Sequence, residues 1–362
     1  MESHLLMLRH SLLSLSVIVL ALLSGSPAAA SEDAAENTAA ENKTLEIQAV
    51  KAEFSSARLL LGKLHVPPAP DLEATDTVPP AAMPPAVRDA GVELTLEGAW
   101  KTYWRSPGDA GFPLTVTVEP TSANINAVNI RWPYPTRFVE EWGLEVFGFK
   151  ESVVVPLEIV LNDAEAPAQA DLRISYAVCS DICLSEEYRV SVEIPADYKP
   201  QAKDLKALAA ARTRVPQENG GHGLTIASAV IESEDAASNK GVLLIEAESS
   251  AAAFLKPDVF VEGPVGIRFP KPARDVSDKG RKVAFRVPYE ISLPAKTLDG
   301  AEVTLTLVAG GKSVETVYPV TRQVKLDEAA LQGNREVEAS SAKGFWGRVA
   351  SGMRRLLPGG DS

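Results

Sequence analysis

The chain has 362 residues, 45% of them hydrophobic and 23% charged, the balance of a soluble globular protein long enough for two domains. With 36 Lys+Arg against 48 Asp+Glu the net charge is -12, which argues against a nucleic-acid partner, whose phosphates need basic neutralisation. Of the 4 His, 4 Met and 2 Cys, His4, His10, Met1 and Met7 fall within the first ten residues; a multi-ligand metal centre or a His-dependent active site would have to draw on the scattered His65, His222, Met83 and Met353, and neither is expected.

Arg9 and His10 precede the apolar run Leu12 to Leu23, followed by Ser24-Gly25-Ser26-Pro27 and Ala28-Ala29-Ala30. This is the layout of a secretory signal peptide over residues 1–30, and the run is shorter than the ~20 residues of a membrane span. The mature chain is expected to begin near Ser31, outside the cytoplasm, where disulfides persist. Residues 31–44 are acidic and Ala-rich without apolar periodicity, the composition of a disordered leader.

The first domain is expected over 45–196. Ala49 to Leu64 supplies a first strand. Within 66–87, Pro67, Pro68, Pro70, Pro79, Pro80, Pro84 and Pro85 exclude a sheet interior and predict an extended surface insertion. Alternation then dominates: Val92, Leu94 and Leu96 against Glu93, Thr95 and Glu97; Leu114, Val116 and Val118 against Thr115, Thr117 and Glu119. The apolar run Val153 to Leu161 follows. Next, Leu172, Ile174, Tyr176 and Val178 alternate with Asp171, Arg173, Ser175 and Ala177, and Tyr188, Val190, Val192 and Ile194 with Arg189, Ser191 and Glu193. Period-two strands separated by turn residues predict an all-β, antiparallel sandwich. A linker over 197–222 carries one short Ala-rich helix between Pro200 and Pro216 and the joint Asn219-Gly220-Gly221-His222-Gly223. A second sandwich over 223–322 is read from Leu224–Ile231, Gly241–Glu248, Asp258–Glu262, Lys282–Val287, Glu302–Val308 and Ser313–Val320.

Cys179 and Cys183 stand in a C-x3-C spacing within Tyr176-Ala177-Val178-Cys179-Ser180-Asp181-Ile182-Cys183. Alternation places Cys179 on the polar face at the end of its strand and Cys183 in an eight-residue connection, Ser180 to Glu187. Both thiols are then expected at a hairpin tip within reach of a partner protein. Three chemistries suit the pair. A structural bridge closing so short a loop gains only about 2 kcal/mol in the chain-entropy model. A tight, exposed disulfide is also the exchange-competent kind. Two thiolates can hold Cu(I), although no Met or His cluster accompanies them.

Three motifs in order, Trp100-Lys101-Thr102-Tyr103-Trp104-Arg105-Ser106-Pro107-Gly108-Asp109-Ala110-Gly111, Trp132-Pro133-Tyr134-Pro135 and the Cys179–Cys183 segment, resemble the amino-terminal periplasmic region of DsbD-like protein-disulfide reductases, nearest to the ScsB branch. The resemblance covers Val50 to Ile194 well and the second sandwich more loosely. It implies a periplasmic protein of immunoglobulin-like sandwiches whose cysteine pair relays electrons from a membrane-embedded reductase to thioredoxin-fold partners. It further implies Cys183 as the attacking thiol and Cys179 as the resolving one, with no metal or organic cofactor. Relatives commonly carry proline two residues after the second cysteine, where this chain has Ser185. The alternative is a non-catalytic adaptor whose disulfide shapes a binding loop.

Other signals are weaker. Gly310-Gly311-Lys312-Ser313 imitates a phosphate loop, but Thr306 stands where the pattern requires glycine, so a hairpin turn is expected. Arg105 to Gly111 is first of all turn chemistry, and Trp100, Tyr103, Trp104 and Trp132 are core or a cover for the cysteines. In the tail, 323–362, Trp346, Val349, Met353 and Leu356 form one helical stripe flanked by Lys343, Arg348, Arg354 and Arg355. That pattern suits peripheral contact with an anionic membrane or a partner's groove; a solvated end is the plain alternative.

Overall fold

A computed structural model describes residues 47–67, 85–140, 143–235, 237–293 and 296–322. The expected signal peptide, the acidic leader, most of the Pro-rich insertion and the amphipathic tail lie outside these residues.

The first strand series comprises β1 (Val50–Lys51), β2 (Ser55–His65), β3 (Ala86–Leu96), β4 (Lys101–Gly108), β5 (Thr115–Val118) and β6 (Ile125–Ile130). It continues with β7 (Thr136–Val139), β8 (Glu145–Lys150), β9 (Ser152–Leu161), β10 (Ala168–Cys179) and β11 (Cys183–Ile194). These make two sheets, ordered β1-β2-β3-β9-β6 and β11-β10-β4-β8-β7, with β5 also pairing β10. The sheets face each other across a core that includes Leu59, Leu94, Leu157, Ile174 and Tyr176. Ser55 and the Tyr176 hydroxyl share a buried hydrogen bond of 3.1 Å from one sheet to the other, so the phenol's polar end is satisfied inside the sandwich.

Leu59, Leu60 and Leu61 are all fully buried, which a strand achieves only when both of its faces are covered. The outer cover is α1 (Ala202–Arg212), the helix expected between the two prolines. Its Leu208 lies against Gly62 and Gly91, where an added Cβ would sit 2.9 and 2.7 Å from the Leu208 methyls. Arg58 donates to Asp204 at 2.9 Å and Arg212 to Asp89, fixing the helix to β2 and β3. The Asn219–Gly223 joint is hydrogen-bonded at both ends, through Asn219 to the Glu315 carbonyl and between Gly221 and Leu224.

The second series comprises β12 (Gln217–Glu218), β13 (Leu224–Asp235), β14 (Lys240–Ser249), β15 (Asp258–Glu262) and β16 (Ile267–Arg268). After these come β17 (Ala273–Ser277), β18 (Lys282–Ile291), β19 (Glu302–Ala309), β20 (Lys312–Pro319) and β21 (Thr321–Arg322). The sheets are β12-β20-β19-β15 and β16-β18-β14-β13-β21, with β17 on β18, packed over Leu243, Ile245, Phe285, Tyr289, Leu305 and Leu307. Pairing is antiparallel except for β12 on β20 and β21 on β13. Gly310 and Gly311, both at positive φ, turn the chain from β19 into β20, the hairpin expected in place of a phosphate loop. Over the described residues the chain is therefore all-β, two sandwiches in tandem with one α-helix.

The sandwiches meet through an apolar centre ringed by arginines. Trp104 and Phe147 of the first pack edge-to-face on Phe260 of the second, with centroids 5.8 and 5.1 Å apart. Arg137 lies over Phe147 and Phe260 and forks onto Asp258. Arg105 stacks on Trp104 and reaches both Glu262 and Glu315, and Arg268 forks onto Asp109 at 2.6 and 2.7 Å. Planar guanidinium groups suit both tasks at once, stacking and bidentate pairing.

Candidate functional site

Strands β10 and β11 pair without interruption from Ala168↔Ile194 to Cys179↔Cys183. The connection is thus only Ser180 to Ile182, closed by a 3.0 Å bond from the Ser180 amide to the Ile182 carbonyl. This corrects the longer connection, Ser180 to Glu187, read from alternation. The missed residues, Cys183 to Glu187, carry no period-two apolar signal because neither face of this half of the strand is buried and the ladder that holds it is made by backbone groups. With the cysteines directly opposed, their Cα atoms are 4.2 Å apart and the sulfurs are bonded.

The two thiols are not equivalent. Cys183 is exposed, but Cys179 is 2% exposed, which corrects the expectation that a partner could reach both. Alternation identified the face of Cys179 but not its covering. Beyond Tyr176 the outer side of β10 is closed by a small cluster in which Ala177 and Cys179 pack with Tyr103 of β4, Val146 of β8 and Phe138 of β7.

Tyr103 links the pair to its surroundings, its hydroxyl lying 3.9 Å from the Cys183 sulfur. Burial pushes its pKa up, and the nearby Glu140 carboxylate adds to the rise, so at neutral pH it is a protonated donor. On β4, Lys101 is the cross-strand neighbour of Cys179, and its ammonium pairs with Glu140 at 2.7 Å. Gly111, at φ +88, lies flat on the Tyr103 ring, where an added Cβ would come within 2.3 to 2.5 Å of ring carbons. The loop 108–111 thus depends on glycine for both its backbone conformation and its contact. Of the aromatics weighed from sequence, Tyr103 covers the cysteines, Trp104 belongs to the inter-sandwich centre and Trp100 stacks on Phe54 at 4.1 Å. Asp109, Glu140 and Arg268 escaped the sequence reading; only the Pro-Gly-Asp-Ala-Gly turn hinted at the first, and nothing local marks the others.

Large apolar side chains stand exposed beside the site in the chain: Ile182 (61%) next to Cys183, Phe112 (43%) after Gly111, and Val139 (58%) after Phe138. Among the described residues no group of three or more His, Cys, Asp or Glu is placed to hold a metal, and no helix is long and apolar enough to cross a membrane.

Residues 69–195 match the family of the thiol:disulfide interchange protein DsbD, N-terminal, and residues 214–323 match a domain family of unknown function. No curated protein matches the chain in sequence. Among solved structures, the N-terminal periplasmic domain of ScsB from Proteus mirabilis is similar at 16% identity and a TM-score of 0.55, over 76% of this chain and 98% of that one. The stretch that carries the cysteine pair lies within the matched residues and is DsbD/ScsB-like.

Proposed function

We propose that the protein is a periplasmic thiol–disulfide exchange component, exported by its amino-terminal signal segment, which passes reducing equivalents from a separate membrane-embedded thiol reductase to thioredoxin-fold partners through Cys179 and Cys183. The observation that carries this reading is the asymmetry of the pair: one sulfur exposed at a strand start, its partner buried beneath Tyr103.

In the reduced form the Cys183 thiolate attacks a sulfur of the partner's disulfide. One sulfur–sulfur bond forms between the proteins, and the partner's other sulfur leaves as a thiolate that takes up a proton. Cys179 then gives up its proton and attacks the Cys183 sulfur, regenerating the intramolecular disulfide and releasing the partner as a dithiol. Two electrons have moved to the partner, and a dithiol of the membrane reductase restores this chain by the reverse sequence. Neither a metal nor an organic cofactor enters. Exposed Ile182, next to Cys183 in the chain, offers an apolar side chain for docking at the accessible sulfur, and the basic flank of the tail's apolar positions suits contact with the anionic membrane that holds the reductase.

A Cys179→Ser variant leaves Cys183 able to attack but not to be resolved. It should accumulate a mixed disulfide with thioredoxin-fold proteins of the same compartment, whereas Cys183→Ser should not. Absence of any such adduct, together with a reduction potential below about -300 mV, would establish a structural bridge and the adaptor reading instead.

A further inference from the structure

Asp109 sits in the loop that lays Gly111 on the Tyr103 ring. Its carboxylate accepts the Glu145 amide at 2.8 Å, and its own amide returns a bond to the Glu145 carbonyl. Both bonds stay within the first sandwich. The guanidinium of Arg268 comes from the second sandwich, 159 residues away in sequence, and closes a two-bond fork on the same carboxylate. This fork holds the Asp109 carboxyl below its usual range. Elsewhere the loop is backed by a cleft of about 630 Å3 lined by Ser106, Pro107, Gly108, Val265 and Phe269, and the second sandwich otherwise reaches this corner through the Lys271 amide, which donates to the Glu145 carboxylate at 2.8 Å.

We infer that Arg268 is a positioning residue for the disulfide. By fixing Asp109 it sets the Gly108–Gly111 loop, the loop presses Gly111 onto Tyr103, and Tyr103 covers Cys179 with its hydroxyl at Cys183. The second sandwich thereby governs how readily the sulfurs are reached. The inference deepens the exchange reading and rests on it for its biological purpose, although the contact chain itself concerns only this protein.

The experiment follows reduction of the full chain's disulfide by dithiothreitol at neutral pH. Arg268→Gln and Asp109→Asn should each speed reduction by about two- to thirtyfold, the range over which coupled positions act. The double variant should be no faster than the quicker single one, and Arg268→Lys should recover part of the wild-type rate. Arg286→Gln, which breaks an exposed pair with Glu232 in the same sandwich, should react as wild type. A wild-type rate for Arg268→Gln, additive effects in the double variant, or equal acceleration by Arg286→Gln would overturn the inference. Should Arg268→Gln fail to fold, Asp109→Asn alone carries the test, because its amide oxygen still accepts the Glu145 N–H. The exchange reading fails by a different result, the absence of a trapped partner with Cys179→Ser, which leaves these rates untouched.

Discussion

Tyr103 brings one hydroxyl donor to within 3.9 Å of the sulfur that becomes a thiolate in the proposed exchange. Held protonated by burial and by Glu140, its hydroxyl favours the charged form of Cys183 once the disulfide opens. Tyr103→Phe keeps the ring on Cys179 and Gly111 but removes that donor. Alkylation of reduced Cys183 by iodoacetamide at pH 7 should slow by about fivefold, the equivalent of ~1 kcal/mol for one hydrogen bond. Cys183 as the attacking thiol is what the family resemblance implies, and the proposed exchange needs its exposure, against the burial of Cys179, for that order of attack. Spacing alone named the pair, yet burial of Cys179 was invisible to it: Ser175, Ala177 and Cys179 share one face, and only the first belongs to the polar pattern of that face.

Among the elements, α1 shows how a segment with no amphipathic signal is kept in place. Its sequence, Ala-rich with charges all round, promises little as a free helix. It is held because Gly62 and Gly91 leave room for Leu208 and because Asp204 and Arg212 meet charges on β2 and β3. Leu208 is 3% exposed, so Leu208→Ala should cost roughly 2–5 kcal/mol, measured by urea denaturation, while Lys206→Ala should be near neutral. Position and length of this helix were legible from the two bracketing prolines. Its docking was not, since the glycines that receive it lie more than a hundred residues earlier and read only as interruptions of two strands. The β10–β11 hairpin shows the complementary limit: alternation found the apolar half of β11 and missed the half nearest the cysteines.

For the whole molecule, the contact between sandwiches decides whether the chain behaves as two bodies or one. Phe260 is 2% exposed and inserts between Trp104, Phe147 and Arg137. Truncating it leaves a cavity at that centre and should cost about 3–5 kcal/mol. The wild-type chain is expected to unfold in one calorimetric transition, and Phe260→Ala should resolve it into two, one for each sandwich. A single transition retained at lower temperature would place the coupling in the arginine pairs. Those pairs orient more than they stabilise, because each charge gives up solvent to be there.

The longer strands of both series, the intervening helix and the cysteine pair were contained in local sequence pattern, because period-two alternation and glycine or proline punctuation are properties of neighbouring residues; β4, β6, β7 and β8 were not, and β4 carries Arg105 to Gly108, read from sequence as turn chemistry, into the sheet. Tertiary structure alone decided what lies over each face. It buried Cys179 under Tyr103, gave Trp104 to the inter-sandwich centre and joined Asp109 to Arg268 across 159 positions. The physical reason is that alternation states which way a side chain points, whereas the group it meets there comes from a distant strand whose register is set only when the sheets close and pack.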